Sequence, residues 1–176
     1  KIKVTSGGAT STVTITAGLT EMSDLANYKA VRRTPVCTTY RNTWVCGMGP
    51  PSSGGIAVAQ SLGILENFDL AALPPTAVNG EGGKPSVQGV HLVSEAQRLA
   101  YADRNKYVAD TDFVPLPGGS PAALLDKAYL RSRANLIDFT RSMGTAVAGT
   151  FTTAPLGISS AEGKGTTVTV RLPLTL

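Results

Sequence analysis

The sequence predicts an α/β chain, helices over a mixed sheet, on three observations. Both ends alternate apolar with polar residues, the middle spaces its apolar residues at helical intervals, and 19 Gly with 11 Pro supply frequent turns. A length of 176 residues suits one domain with its own core better than two. Apolar residues at 42% exclude wholesale disorder, and charged residues at 16%, against a usual figure of about 25%, imply a lightly charged surface.

At the start, Ile2 and Val4, then Val13 and Ile15, alternate with polar residues on either side of Gly7 and Gly8, which reads as two short strands joined by a tight turn. Thr20 to Tyr28 has the composition of a short helix, with Thr20 or Ser23 to cap it and Glu21 and Asp24 at its positive end. Arg33 to Met48 reads as a hairpin turning at Arg41 and Asn42. A two-residue turn pairs Tyr40 with Thr43, Thr39 with Trp44, Thr38 with Val45 and Cys37 with Cys46. Facing residues of that kind lie about 4.5 Å apart between α-carbons, within reach of a disulfide.

The run from Gly49 to Gly55 holds two prolines barred from a central strand and two serines, Ser52 and Ser53, able to cap a helix from Ile56 to Asn67. Val58, Leu62 and Leu65 form that helix's apolar stripe. Residues 71–89 have the composition of a mobile surface loop, with Pro74, Pro75, Gly80, Gly82, Gly83, Pro85 and Gly89. A second helix from Val90 to Lys106 turns Leu92, Ala96, Leu99 and Ala100 to a core, and Ser120 with Pro121 opens a third through Leu124, Ala128 and Tyr129. Near the end, Val168, Val170, Leu172 and Leu174 alternate with polar residues, and Pro173 makes this an edge strand.

Sixteen Lys and Arg against twelve Asp and Glu give a net charge of +4, but the basic residues are scattered and do not interleave with aromatics, so no nucleic-acid partner is expected. No apolar run reaches the roughly 20 residues of a membrane helix, and no signal peptide is visible. The chain begins at Lys1 rather than Met, which suggests a processed product or an excised piece. Two Cys and one His cannot furnish a four-ligand zinc site.

Few residues offer chemistry on their own. His91 and Glu95 share a helix face at metal-ligand spacing, but there is no second His and Glu95 can equally pair with Arg98, so no metal is expected. Ser52 or Ser53 with His91 and Asp103 composes a formal triad without the strand–Ser–helix elbow, and such serines before a helix are ordinarily caps. Gly54 and Gly55 lack the following Lys of a phosphate loop. Asp103 and Arg104 with Asp110 and Asp112 read either as a solvated ion-pair network or as paired carboxylates.

The order of segments says more. Asp24-Leu25-Ala26-Asn27-Tyr28, Arg33-Thr34-Pro35-Val36, Pro50 to Gly55, Leu65 to Asp69, Glu95-Ala96, Ala100 to Arg104 and Asp110 to Val114 together resemble the gamma-glutamyltransferase family. The resemblance covers about residues 18–145 and is to the carboxy-terminal part of that family's large subunit. It divides the chain into an unassigned strand-rich segment, 1–17, the family-like region, 18–145, and a strand-rich tail, 146–176.

The resemblance implies the layered α/β fold of an N-terminal nucleophile hydrolase, made as a zymogen that cuts itself before a threonine. The freed threonine attacks gamma-glutamyl amides such as glutathione and passes the acyl group to water or an acceptor amine. Gly165-Thr166-Thr167 falls where the cleavage motif is expected, which makes Thr166 the candidate nucleophile, although Val168 stands where the family usually has His. A companion small subunit is implied as partner, since the residues after Thr169 do not continue its pattern; the isolated chain is expected to be inactive. No cofactor is implied. The family setting is periplasmic or extracellular, where a Cys37–Cys46 bridge could form. The tail from Glu162 to Pro173 is also similar to the last strands of histidine-kinase ATP-binding domains, without their upstream nucleotide boxes, and is read as a strand. The alternative is a non-catalytic fragment or engineered chimera acting as a scaffold or association module.

Overall fold

A computed structural model describes residues 2–6, 9–13, 20–79, 82–151, 159–161 and 165–167. Its strands pair as four antiparallel hairpins: β1 (Ile2–Ser6) with β2 (Ala9–Val13), β3 (Val36–Tyr40) with β4 (Thr43–Gly47), β5 (Thr76–Asn79) with β6 (Gly82–Lys84), and β7 (Ser159–Ala161) with β8 (Gly165–Thr167). The α/β class holds, but every ladder among the described residues is antiparallel where a mixed sheet was expected. The reason is connection length: two or three residues can reverse a strand, whereas a parallel neighbour needs a long crossover.

The helices are α1 (Met22–Asn27), α2 (Gly54–Leu65), α3 (Val87–Tyr107) and α4 (Lys127–Ala134). Helix α2 is the centre, lying against α3, α4 and the β3–β4 hairpin. Its sequence is apolar almost all round, so burial on several sides suits it. Ile64, Leu65, Leu92, Ala96, Leu99, Leu130, Ala134 and Ile137 form one core cluster, and Val36, Ile56, Tyr107, Leu116 and Leu124 form a second beneath the hairpin.

Two glycines allow the close approach of hairpin and helix. A Cβ on Gly55 would stand 2.5 Å from the Met48 carbonyl oxygen, and one on Gly47 would stand 2.6 Å from the Gly55 Cα. These glycines therefore serve backbone packing. The hairpin has the expected register, with Arg41 and Asn42 both at positive φ in the turn. Cys37 and Cys46 are disulfide-bonded, their α-carbons 4.1 Å apart.

Several expectations are corrected. Of the expected stripe on α2, Leu65 is buried and Leu62 partly so, but Val58 is half exposed; Ile56, Ala59, Gln60 and Ile64 are buried instead, because α4 and α3 approach from that side. Residues 76–84, expected as loop, contain the β5–β6 hairpin. The second helix starts at Val87, where Ser86 Oγ accepts the Gly89 amide. The third starts after Asp126, not Ser120: Asp126 caps the Tyr129 amide at 2.8 Å, and the residues from Pro121 to Leu125 only turn. Ser53 makes no capping bond; its hydroxyl accepts from Arg104 Nε at 3.0 Å instead. The alternation expected over residues 168–174 lies outside the described residues.

Candidate functional site

Thr166 lies in β8 opposite Ser160 of β7, with Gly165 opposite Ala161. The candidate scissile bond, Gly165–Thr166, is thus part of an antiparallel ladder, and β7 runs beside α3. The same helix α3 also holds the irregular segment that leaves α4.

That segment, residues 138–149, follows α3 in the same direction and has its backbone groups satisfied largely by side chains. His91 Nε2 lies 2.7 Å from the Asp138 carbonyl oxygen, and Gln88 donates to the Phe139 carbonyl at 3.0 Å. Glu95, 1% exposed, accepts from the Ser142 hydroxyl and the Met143 amide, both at 2.8 Å, and pairs with Arg98 at 3.2 Å. Arg98 donates onward to the Gly144 carbonyl. Burial works to raise the Glu95 pKa, but the Met143 amide, the Ser142 hydroxyl and Arg98 together outweigh it and hold the carboxyl below its ordinary value.

Two turns further along α3, Asp103 is completely buried. One carboxylate oxygen accepts from Gln60 Nε2 at 3.0 Å and from the Tyr129 hydroxyl at 2.5 Å. The other accepts from the Gly149 amide at 2.8 Å and faces the Arg133 guanidinium at 3.4 Å. Burial, then the bond to Asp103, push the Tyr129 phenol far above its ordinary pKa, so it remains a donor throughout the physiological range. Arg133 also donates to the Val147 carbonyl at 2.6 Å, and the Tyr107 hydroxyl to the Gly149 carbonyl at 2.6 Å. Both polar groups of Gly149 are therefore held by α3, through residues one turn apart.

This geometry dissolves the formal triad. His91 and Asp103 are twelve positions apart on one helix, about 18 Å of rise, and Ser52 and Ser53 face neither: Ser52 Oγ accepts the Gly54 amide at 3.4 Å. No group of three or more metal-ligating side chains occurs among the described residues, and both Glu95 oxygens are engaged. Asp103 and Arg104 do not form a network with Asp112, which makes a two-bond ion pair with Arg33. The sequence does not single out Gln60, Arg133 or Gly149, and it offers Tyr129 only as part of the third helix. The spacing did hold a signal for Asp103: Glu95, Leu99, Asp103 and Tyr107 recur every four residues, on the face that Leu92 and Ala96 bury.

Helices against an antiparallel hairpin make this an α/β chain, and its likeness to the solved structures that follow makes the fold that of N-terminal nucleophile hydrolases. It aligns with gamma-glutamyltranspeptidase of Helicobacter pylori at a TM-score of 0.60 and 36% identity, over 72% of this chain and 33% of that one. A second solved structure, gamma-glutamyltranspeptidase from Pseudomonas nitroreducens complexed with L-DON, aligns at 0.57 and 32% identity, over 70% and 34%. The gamma-glutamyltranspeptidase family pattern matches residues 9–170, and the chain belongs to that family. Among relatives, the glutathione hydrolase proenzyme of Escherichia coli is 44% identical over 71% of this chain and 20% of its own length. The acylase ACY 1 proenzyme of a Pseudomonas strain is 42% identical over 68% and 19%. The chain thus spans about a fifth of the length of these relatives.

Proposed function

We propose that these residues are the carboxy-terminal part of the large subunit of an enzyme cleaving gamma-glutamyl amides such as glutathione, with Thr166 as its nucleophile. The observation that carries this reading is the family membership, with relatives named glutathione hydrolase proenzyme. Residues 18–145 serve as the large-subunit body and 146–176 carry the processing site, preceded by the strand-rich segment 1–17. A companion small subunit completes the site, in a periplasmic or extracellular setting.

The chemistry follows from basicity. Inside the chain, the Thr166 nitrogen is an amide without a lone pair to lend. A cut behind Gly165 frees an α-amine with a pKa of about 8, which takes the hydroxyl proton as Oγ attacks the gamma-glutamyl carbonyl. The amide C–N bond breaks, the departing amine receives that proton, and water or an acceptor amine then displaces Thr166 from the acyl ester. No group on α3 substitutes for the amine: His91 is bound to the Asp138 carbonyl at the far end of the helix from Asp103.

The test combines the chain with a small subunit and reads intact mass and gamma-glutamyl anilide hydrolysis. A cut before Thr166 and turnover are expected, both abolished by Thr166→Ala. Cutting and turnover retained in Thr166→Ala would overturn the assignment. The 176 residues alone are expected to give no turnover, because acyl transfer needs preorganised oxyanion donors worth about 3–4 kcal/mol each.

One observation favours a second reading, a non-catalytic scaffold or association module. Val168 stands where the family usually has His, and Thr166 and Thr167 are β-branched residues that suit a strand without any chemistry. A cut that never occurs in the presence of the small subunit would select it.

A further inference from the structure

We propose that Asp103, gripping Gly149 together with Tyr107 and Tyr129, is a positioning residue: it fixes the point from which the chain departs towards the Gly165–Thr166 bond. The inference rests on the reading of Thr166 as the processing site.

Three observations lead to it. The segment ending at Gly149 has no helix or strand of its own, yet five of its polar backbone groups are met in order by His91, Glu95, Arg98, Arg133 and Asp103. Holding a coil with two buried carboxylates is an expensive way to stabilise a fold, since well-packed apolar residues commonly serve as well or better. It gives something packing alone does not, a fixed register of chain against helix.

The grip is tightest at its end. The Gly149 amide and carbonyl are both bonded to α3, and a Cβ at this position would run into the Tyr129 hydroxyl and ring. Two residues on, Phe151 sits between two aromatic rings, edge-on to Tyr107 at 5.1 Å and tilted against Tyr129 at 4.7 Å. Tyr107, which donates to the Gly149 carbonyl, and Tyr129, which donates to Asp103, thus also flank Phe151. Beyond Phe151, the next described residues are β7, which lies beside the same helix and pairs with the strand containing Thr166. One helix therefore holds the anchor and flanks the hairpin that carries the bond.

The test separates anchoring from general stability by amide hydrogen exchange of the intact chain. Tyr129→Phe removes one donor to Asp103, Gly149→Ala displaces the Tyr129 hydroxyl, and Asp103→Asn removes the charge; Ile64→Val, in a core cluster that Tyr129 borders but without a bond to Asp103 or Gly149, serves as a control for simple destabilisation. The first three are expected to speed exchange at Gly149 and at Gly165–Thr167 by about tenfold or more, while α2 and the first half of α3 stay protected. Ile64→Val is expected to leave the ratio between these regions unchanged. Exchange at Gly165–Thr167 that is unaltered in Tyr129→Phe and Gly149→Ala would overturn the proposal, even if Asp103→Asn does not fold. With the small subunit present, Tyr129→Phe is further expected to slow the cut before Thr166 without altering turnover per cut chain. If Thr166→Ala leaves cutting intact, the reading of Thr166 fails while the exchange result still decides the anchor.

Discussion

Arg33 and Asp112, 79 positions apart, meet in a two-bond ion pair at 2.8 and 2.5 Å that joins the entry to the β3–β4 hairpin to the turn after α3. The Arg33 hydrogen bond holds the Asp112 carboxyl below its ordinary pKa. Both groups meet solvent, so salt should screen the attraction, with a Debye length of about 3 Å at 1 M. Asp112→Asn is expected to lower the melting temperature at low ionic strength and to lose that effect at high salt. Thermal melts at two salt concentrations check this; an equal loss at both would mean the pair acts through packing.

Glu95 sets a pH dependence. Its folded pKa lies below the unfolded one, so its contribution is fully present above the unfolded value, about 4.3, and is lost as pH falls through the folded value. Melting temperature followed from pH 7 downward should fall more steeply below about 4.3 in the native chain than in Glu95→Gln. A parallel decline in the two would rule out Glu95 as a source of the acid sensitivity.

Two glycines on α2 are predicted to differ under the same substitution. A Cβ on Gly55 meets the backbone of Gly47 and Met48, whereas one on Gly63 meets only the Leu130 side chain, which can turn aside. Gly63→Ala is expected to cost about 1–2 kcal/mol and Gly55→Ala about 3 kcal/mol or more. Urea unfolding of both variants measures the order, and a smaller loss for Gly55→Ala would contradict it.

The cross-link between Cys37 and Cys46 closes a short loop, so chain-entropy arguments limit its contribution to about 2.5–3 kcal/mol. Replacing both cysteines by Ala is expected to destabilise the chain by no more than this and to leave α2 and α3 in place. Intact mass of the oxidised chain should be lighter than the reduced form by two hydrogens. Free thiols on the folded chain, titrated after aerobic purification, would show that the bond does not form.

The sequence was most legible where structure is local. The β3–β4 register follows from a two-residue turn and the residue types around it, and α3 follows from Leu92, Ala96 and Leu99 at helical spacing. Helix α2 gave no usable direction because an almost wholly apolar segment has no preferred face, which is why Val58 was expected inside and Gln60 was not. The anchor was invisible for another reason: Asp103 finds Gln60, Tyr129 and Gly149 at separations of 43, 26 and 46 residues, and a carboxylate reads as solvent-facing until such partners are known. Ser120 with Pro121 imitates a helix start so well that only the Asp126 cap, six residues later, reveals the true one.

The bridged hairpin also changes what the chain can do under tension. Pulled from both ends, a stretch from Cys37 to Cys46 would extend to about 30 Å if open, but the cross-link holds the two α-carbons 4.1 Å apart. Force therefore passes across the base of the hairpin and never reaches its tip. In single-molecule stretching, the oxidised chain should yield a final contour about 25 Å shorter than the reduced one, with Thr38 to Val45, including exposed Trp44, never bearing load.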